Sequence, residues 1–212
     1  MLEELFNLVK GSANESVINN PDVPNEHNDA VVAEATNTVA SGLRNMVSGG
    51  GLQNVLSLFG NNEQGEQQTA QTLSGNPIVN MMIGHFAGKL MSKFNLGGSQ
   101  ASTVANNLIP GVMSSLVNKT NDPANSDFSI EALLHSITGG QSTQVAQEQQ
   151  AGGNTGFNFK DLISQFSGVS QNVGSGRGGF IDIVSKLAGG AQAQQQQTGG
   201  EGLMDMIQGF LK

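Results

Sequence analysis

One spacing of apolar residues, at positions i, i+3, i+4 and i+7, recurs six times in this chain as a separate short unit. These positions share one side of an α-helix, so each unit predicts about two turns of amphipathic helix. Strand alternation fits none of them. The units occupy residues 2–9, 52–59, 130–137, 159–166, 180–187 and 203–210. The pattern predicts an all-α fold.

Boundary residues accompany these units. The polar residue before the central apolar pair is Glu4, Asn54, Asp161, Asp182 or Asp205 in five units, and Glu131 lies one place earlier in the unit at 130–137. A carboxylate there complements the positive end of the helix dipole. The glycines that follow the units are Gly11, Gly60, Gly139, Gly168 and Gly189. They stand where a left-handed C-cap is expected, so we predict several short Gly-capped helices.

No single unit is expected to persist alone. Burying its four apolar side chains contributes about 6 to 12 kcal/mol, whereas ordering its backbone costs about 10 to 20 kcal/mol. Each unit must therefore dock on the core of the chain, a neighbouring unit, another subunit, a membrane surface or a partner protein.

Longer helices are predicted at 29–47, 77–94 and 99–118, within a multihelical core at 28–140. Asn76 is the expected N-cap before Pro77, and Ser99 caps the next helix after the Gly97-Gly98 break. Pro110-Gly111 should kink or split that third helix. The apolar stripe of the second helix is Val79, Met82, Ile83, Phe86, Leu90 and Phe94, and its small face, suited to close helix approach, is Gly84, Ala87 and Gly88.

Polar stretches separate these parts. The segments at 61–72, 141–155 and 191–200 are rich in Gln and Gly with little to bury, so we expect flexible linkers. The predicted organisation has an N-terminal short helix with a Pro/Asn loop at 1–27 and a core at 28–140 carrying a Gln-rich insert near 61–72. A flexible tail at 141–212 carries the last three units.

Composition and charge exclude several classes of function. Residues 1–34 hold seven acids against one lysine, whereas residues 67–121 hold no acid and three lysines, Lys89, Lys93 and Lys119. Three lysines are too few for a nucleic-acid surface, and Trp and Tyr are absent. The absence of Cys removes disulfides and thiolate chemistry. The acidic start does not fit a signal peptide, and the longest apolar segment, 78–94, contains Asn80, His85 and Lys89. A cytoplasmic location is therefore expected.

The stretch GGSQASTVANNLIPGVMSSLVNK at 97–119 resembles the YidB-like family of uncharacterised bacterial proteins. The shared features are a Gly-led turn, the Gln100-Ala101 pair and the Leu108-Ile109-Pro110 step before Leu116. The preceding helix at 81–94 and the Gly-rich tail of short apolar helices are also similar. The resemblance covers about residues 28–140 and implies an all-α fold without an established activity, so it carries over no catalytic residues. The Gln-rich linkers and multiplied tail units depart from a minimal family member.

The sequence offers no catalytic, cofactor or metal site. None of His27, His85 and His135 has a second ligand at metal spacing. The GSGRGG segment at 174–179, with Arg177, precedes a predicted helix but has neither the preceding strand nor the ending of a phosphate loop. No G-x-S-x-G elbow is present.

We therefore expect a non-enzymatic interaction or scaffold protein that docks on itself or on another protein through its short apolar helix stripes, with homo-oligomers as one outcome. The alternative is reversible association with a membrane surface through the same helices. That alternative is disfavoured because Lys and Arg do not line their polar faces. An enzyme is a third hypothesis, which no motif supports.

Overall fold

The computed structural model describes residues 2–49, 51–60, 69–122 and 129–137, and beyond them only residues 185, 188, 189, 192 and 193. The described residues form an all-α fold without strands, as predicted. The helices are α1 (Leu2–Ala13), α2 (Asn28–Ser48), α3 (Leu52–Gly60), α4 (Ala70–Ser74), α5 (Pro77–Phe94), α6 (Gly98–Asn121) and α7 (Ile130–Ile137), with a π-helix at Asn14–Ile18 and a 3₁₀ turn at Asn25–His27. The predictions for the units at 159–166, 180–187 and 203–210 and for the linkers at 141–155 and 191–200 lie outside the described residues, apart from those five positions.

The backbone divides into two compact units. One contains the described residues of Met1–Gly42 and Gln67–Lys119, and the other contains those of Leu43–Glu66 and Thr120–Gly199. The domain boundaries that the sequence suggests, at residues 28 and 141, stay predictions.

Helix α2 belongs to the first unit as far as Gly42, and its last residues belong to the second. All ten residues from 31 to 40 are buried, although several of them are polar. The hydroxyl of Thr36 donates to the Val32 carbonyl at 2.9 Å, and that of Thr38 donates to the Glu34 carbonyl at 2.8 Å. These bonds within the helix satisfy the hydroxyls, which lets a polar stretch lie on the inside.

Helix α5 has the bounds that its boundary residues predict. The Asn76 side chain accepts a hydrogen bond from the Ile78 N–H at 2.9 Å, with Pro77 in the first turn. At the other end Asn95 adopts a left-handed conformation with φ 52°, and its N–H bonds to the Leu90 carbonyl. The break therefore occurs at Asn95, before the predicted Gly97-Gly98 pair, because Asn tolerates this conformation better than most residues.

Helix α6 differs from the predictions at its start and at Pro110. It begins at Gly98, and the Gln100 side chain accepts a hydrogen bond from the Gly97 N–H at 3.1 Å, so Ser99 is not the cap. Pro110 does not split the helix, which continues to Asn121, and the alternative of a kink stays a prediction. A proline inside a helix costs about 3 kcal/mol. Burial of its neighbours Leu108, Ile109, Val112 and Met113 on the core side offsets that cost.

Helix α1 extends beyond its predicted end. Gly11 lies inside the helix and is not a left-handed cap, because the chain continues helically to Ala13 and then through the π-helix. Leu5, Val9, Ala13 and Val17 are all buried at a spacing of four residues. The apolar side of the helix therefore continues past Gly11 and keeps the backbone helical.

The Gln-rich insert ends earlier than its composition predicts. Residues 70–72 belong to α4, which begins after Thr69. The Thr69 and Thr72 side chains cap the helix reciprocally, and Leu73 is buried. A capping pair and one buried leucine are enough to order this turn, although residues 69–72 contain no other apolar side chain larger than alanine.

Helices α2 and α5 pack antiparallel in the first unit. Glu34 pairs with Lys93 near one end, and Gly42 meets Met82 near the other. A Cβ on Gly42 would lie 2.8 Å from Met82 Cε and 3.0 Å from Met82 Cγ, so the missing side chain is what permits this approach. No described helix packs closely on the small face predicted for α5, because among the described residues nothing lies within 4 Å of a Cβ built on Gly84 or Gly88.

Candidate functional site

The three described apolar units are buried in the fold. Their buried apolar residues are Leu5, Phe6 and Val9 in α1, Leu52, Val55, Leu56 and Phe59 in α3, and Ile130, Leu133 and Leu134 in α7. These stripes build the core and are not available to a partner. Any docking by such a unit falls to the three that begin at residues 159, 180 and 203.

Helix α5 carries the exposed apolar surface of the described residues. Met81 is 64% exposed and Met91 is 49% exposed, and they are the two large hydrophobic side chains in the described part of the chain with this character. We call this side of the helix the α5 surface; it consists of Met81, Gly84, His85, Gly88, Met91 and Ser92, all exposed. It lies opposite the buried stripe that includes Val79, Phe86 and Leu90, so both sides follow from one helical period.

The shape of the α5 surface is a shallow notch. Met81 and Met91 stand ten residues apart, about 15 Å along the helix axis. Gly84 and Gly88 lie between them, one turn apart, with open space where side chains would stand. A helix laid over this notch can approach the α5 backbone closely. The flexible thioether side chains at both ends can adapt to its shape.

The helix that carries the notch has basic residues and no acidic ones. His85 belongs to it and Lys89 lies beside it on the same helix, while residues 67–121 contain no acid. A partner segment that carries a carboxylate beside an apolar stripe would match this charge.

A buried ion pair lies on the other side of α5. Glu34 of α2 has no exposed surface, and its Oε2 receives the Lys93 Nζ at 2.7 Å, where the Lys93 side chain is 45% exposed. Glu34 Oε1 and Asn37 Oδ1 are also buried, and no described group donates to them. Lys93 is thus the cation that compensates this carboxylate in the described structure.

Arg44 is a second buried charged side chain, in the other unit. It is buried, and loss of solvent lowers the pKa of its guanidinium from the ordinary value. An arginine remains charged at neutral pH even after such a shift.

A polar cleft of about 620 Å³ opens in the first unit. Its lining comes from the π-helix, α4 and the middle of α6: Glu15, Ser16, Asn20, Ala70, Gln71, Ser74, Asn106, Asn107 and Pro110. The Asn20 and Asn106 amide nitrogens donate to the Ser16 and Ser102 carbonyls, so local backbone bonds occupy them. Ligand pockets are mostly apolar with a few placed polar groups, and this cleft has the opposite balance.

The three histidines lie apart from one another along the chain. The His27 ring packs on Phe94 with centroids 5.7 Å apart and lies 3.8 Å from the Glu26 carboxylate, so this residue is less solvated than its acidic loop suggests. His85 is on the α5 surface, and His135 is exposed on α7. Among the described residues no three His, Cys, Asp or Glu side chains group as metal ligands do. The GSGRGG segment at 174–179 lies outside the described residues.

The sequence contained the signal for the α5 surface. Met81, Gly84, Gly88 and Met91 recur at helical spacing, opposite the predicted stripe. The glycines alone predict a packing face, because small residues often allow helices to approach, and this interpretation omits the two methionines. Helical geometry alone could have joined them into one exposed side.

In the described part of the chain no helix is both long enough and apolar enough to cross a membrane. No protein-family model, no curated protein and no solved structure matches the chain. The resemblance to the YidB-like family stays a sequence-based proposal.

Proposed function

We propose that this protein is a non-enzymatic interaction or scaffold protein of the cytoplasm that docks on itself or on another protein through its short amphipathic helices. The observation that carries the proposal is the exposure of Met81 and Met91 on α5. Exposed apolar surface that is grouped on one face marks interaction sites more often than scattered single residues do.

The contrast with the rest of the described chain supports this proposal. The leucine and isoleucine side chains of α3 and α6 that could have been exposed are instead buried, as are the central apolar residues of α1. Because the described fold buries its other large apolar side chains, the exposure of these two methionines supports a surface that another molecule covers. Gly84 and Gly88 lie between them with open space, so a helix could pack closely there.

The repeated units supply the other half of the interaction. Units at 159–166, 180–187 and 203–210 have the same apolar spacing as the three that are buried. Each needs an apolar surface to persist as a helix, because it is too short to be stable alone. Several weak units on linkers raise the overall affinity through their effective concentration.

Limited proteolysis of the full chain tests whether the later units are tethered for docking. We expect cleavage within 141–155 early in the digestion, followed by loss of the residues beyond it, while a fragment ending near residue 140 persists. Peptide mass measurement locates the cuts. A full-length chain that resists protease throughout would mean that the later units complete one monomeric core, which contradicts the proposal.

Membrane-surface association is the alternative. The exposed methionines of α5 and the nearby Lys89 support it, because apolar and basic side chains together suit an anionic membrane surface. Flotation with vesicles containing anionic lipid separates the two hypotheses. Co-flotation that falls with salt would favour the membrane, because the attraction of Lys89 and its neighbours to anionic headgroups is screened. Protein that stays at the bottom of the gradient removes this alternative and leaves protein docking.

A further inference from the structure

We propose that the α5 surface binds the C-terminal unit, residues 203–210, of a second copy of this chain, an inference that rests on the docking function proposed above. The two observations behind it are an open notch between two exposed methionines on α5 and a further apolar stripe in the sequence at 203–210. The chain continues for 75 residues past α7, which ends at residue 137. That length is sufficient for the last unit to reach a neighbouring molecule.

The dimensions of the two parts agree. The stripe at Leu203, Met206, Ile207 and Phe210 extends about 10 Å along a helix, within the 15 Å or so between Met81 and Met91. Met206 and Ile207 form its central pair and would enter the notch over Gly84 and Gly88, where no described side chain stands. Leu203 and Phe210 would then contact the methionines at the two ends.

Charge favours this unit over the other two. The unit at 159–166 carries Lys160 next to Asp161, and the unit at 180–187 carries Lys186 together with Asp182. The C-terminal unit has Glu201 and Asp205 and no basic residue before Lys212. Only this unit brings an uncompensated negative charge to the basic surroundings of His85 and Lys89.

The notch itself explains why α5 keeps two exposed glycines. Glycine inside a helix is destabilising relative to alanine, and an alanine at either position would meet no described atom. The core of the first unit therefore gives no reason for glycine at 84 or 88. A helix of a second molecule, packed against the α5 backbone, supplies that reason.

Single cysteines provide a direct test, since the chain has none of its own. Full chains with Ser92→Cys and full chains with Gln208→Cys are mixed and treated with a short bismaleimide. Both substitutions change polar positions and leave the apolar residues of the two surfaces intact. We expect rapid formation of a 92–208 linkage between two chains, located by mass spectrometry of the digested product. Ser57→Cys, a matched change at an exposed position of α3, is the control and should link to position 208 much more slowly.

A charge reversal at Asp205 tests whether negative charge contributes to the association. Asp205→Lys in the Gln208→Cys chain should weaken association with the Ser92→Cys chain by about fivefold, the upper range for an exposed ion pair. Circular dichroism should remain unchanged, because the substitution exchanges one charged side chain for another beside the apolar stripe and leaves Leu203, Met206, Ile207 and Phe210 intact. An Asp205→Lys chain that cross-links as fast as its parent would overturn this argument for choosing the C-terminal unit.

The outcomes separate this inference from the function on which it rests. If positions 92 and 57 cross-link to position 208 at equal rates, in chains that sedimentation shows to be associated, the inference is overturned and the docking function is not affected. A monomer carrying both Ser92→Cys and Gln208→Cys that closes an intramolecular bridge at high dilution contradicts both, because the unit then completes its own core. A chain that stays monomeric at every concentration overturns the inference alone, since docking on a different protein would remain.

Discussion

Phe59→Ala should lower the free energy of unfolding by about 3 to 5 kcal/mol, the usual range for removing a buried phenylalanine. Phe59 is the last apolar residue of the unit at 52–59 and is 1% exposed in the second unit of the fold. Its carbonyl accepts a hydrogen bond from the Asn121 amide at 2.9 Å. The substitution leaves this side-chain-to-carbonyl hydrogen bond and removes only the ring, so the loss measures packing.

Urea unfolding followed by far-ultraviolet circular dichroism is the appropriate measurement, because the chain lacks Trp and Tyr for fluorescence. Gln53→Ala on the exposed side of α3 is the control and should change the free energy by about 0.5 kcal/mol or less. If Phe59→Ala does not fold, Phe59→Leu gives a milder test, with a loss of about 1 kcal/mol. A loss below 1 kcal/mol for the alanine variant would mean that this unit is not part of the core.

Lys93→Met should destabilise the fold by about 2 to 4 kcal/mol, since it leaves the Glu34 carboxylate buried without its cation. Glu34 is completely buried, whereas the Lys93 side chain is 45% exposed and its ammonium reaches inward to 2.7 Å from Oε2. Water can approach from the lysine side once the ammonium is removed, which is why we place the loss below the full penalty for a dry charge.

Lys89, on the same helix, provides the control for Lys93→Met. Lys89→Met, one turn earlier on α5, should cost about 0.5 kcal/mol or less, as surface substitutions usually do. The double variant Glu34→Leu with Lys93→Met should recover most of the loss, because an apolar pair of similar volume often replaces a buried ion pair without cost. Equal effects of Lys93→Met and Lys89→Met in urea unfolding would show that Glu34 does not depend on Lys93.

Helix positions were largely predictable from the sequence, for identifiable reasons. The N-cap Asn76 followed by Pro77 determines the start of α5, and the period of its stripe predicts the residues that it buries, except Phe94, which is half-buried. Both depend on neighbours within one turn, so the local sequence contains the information. The same reasoning gave α2 to within one residue at each end, as 29–47 against Asn28–Ser48.

The errors came from effects that are not local. Gly11 has the position of a cap, but the buried Ala13 and Val17 beyond it keep the chain helical. Pro110 has the position of a break, but packing on both sides carries α6 through it. Which glycine serves a close contact depends on the neighbouring helix: Gly42 faces Met82, whereas Gly84 faces outward. Each of these outcomes depends on packing between segments, so the spacing of apolar residues within one segment does not predict it.

For the site, too, the sequence predicts the helices but not the surfaces on which they pack. The stripe pattern predicts two-turn amphipathic helices, but it does not distinguish a unit that packs on its own chain from one that packs on another. The units at 2–9, 52–59 and 130–137 belong to the core, so the docking that we propose is assigned to the later three. The exposed methionines of α5 are the basis for the receiving surface that we propose, and the repeat alone does not reveal them.

Sedimentation velocity across a range of protein concentrations tests the central claim, that the α5 surface is a docking surface, most directly. We predict that the unmodified full chain associates as its concentration rises and that Met81→Glu abolishes this association with an unchanged circular dichroism spectrum. Gln53→Glu, on an exposed position of α3, should associate as the unmodified chain does. A Met81→Glu chain that associates as strongly as the unmodified one would contradict the account.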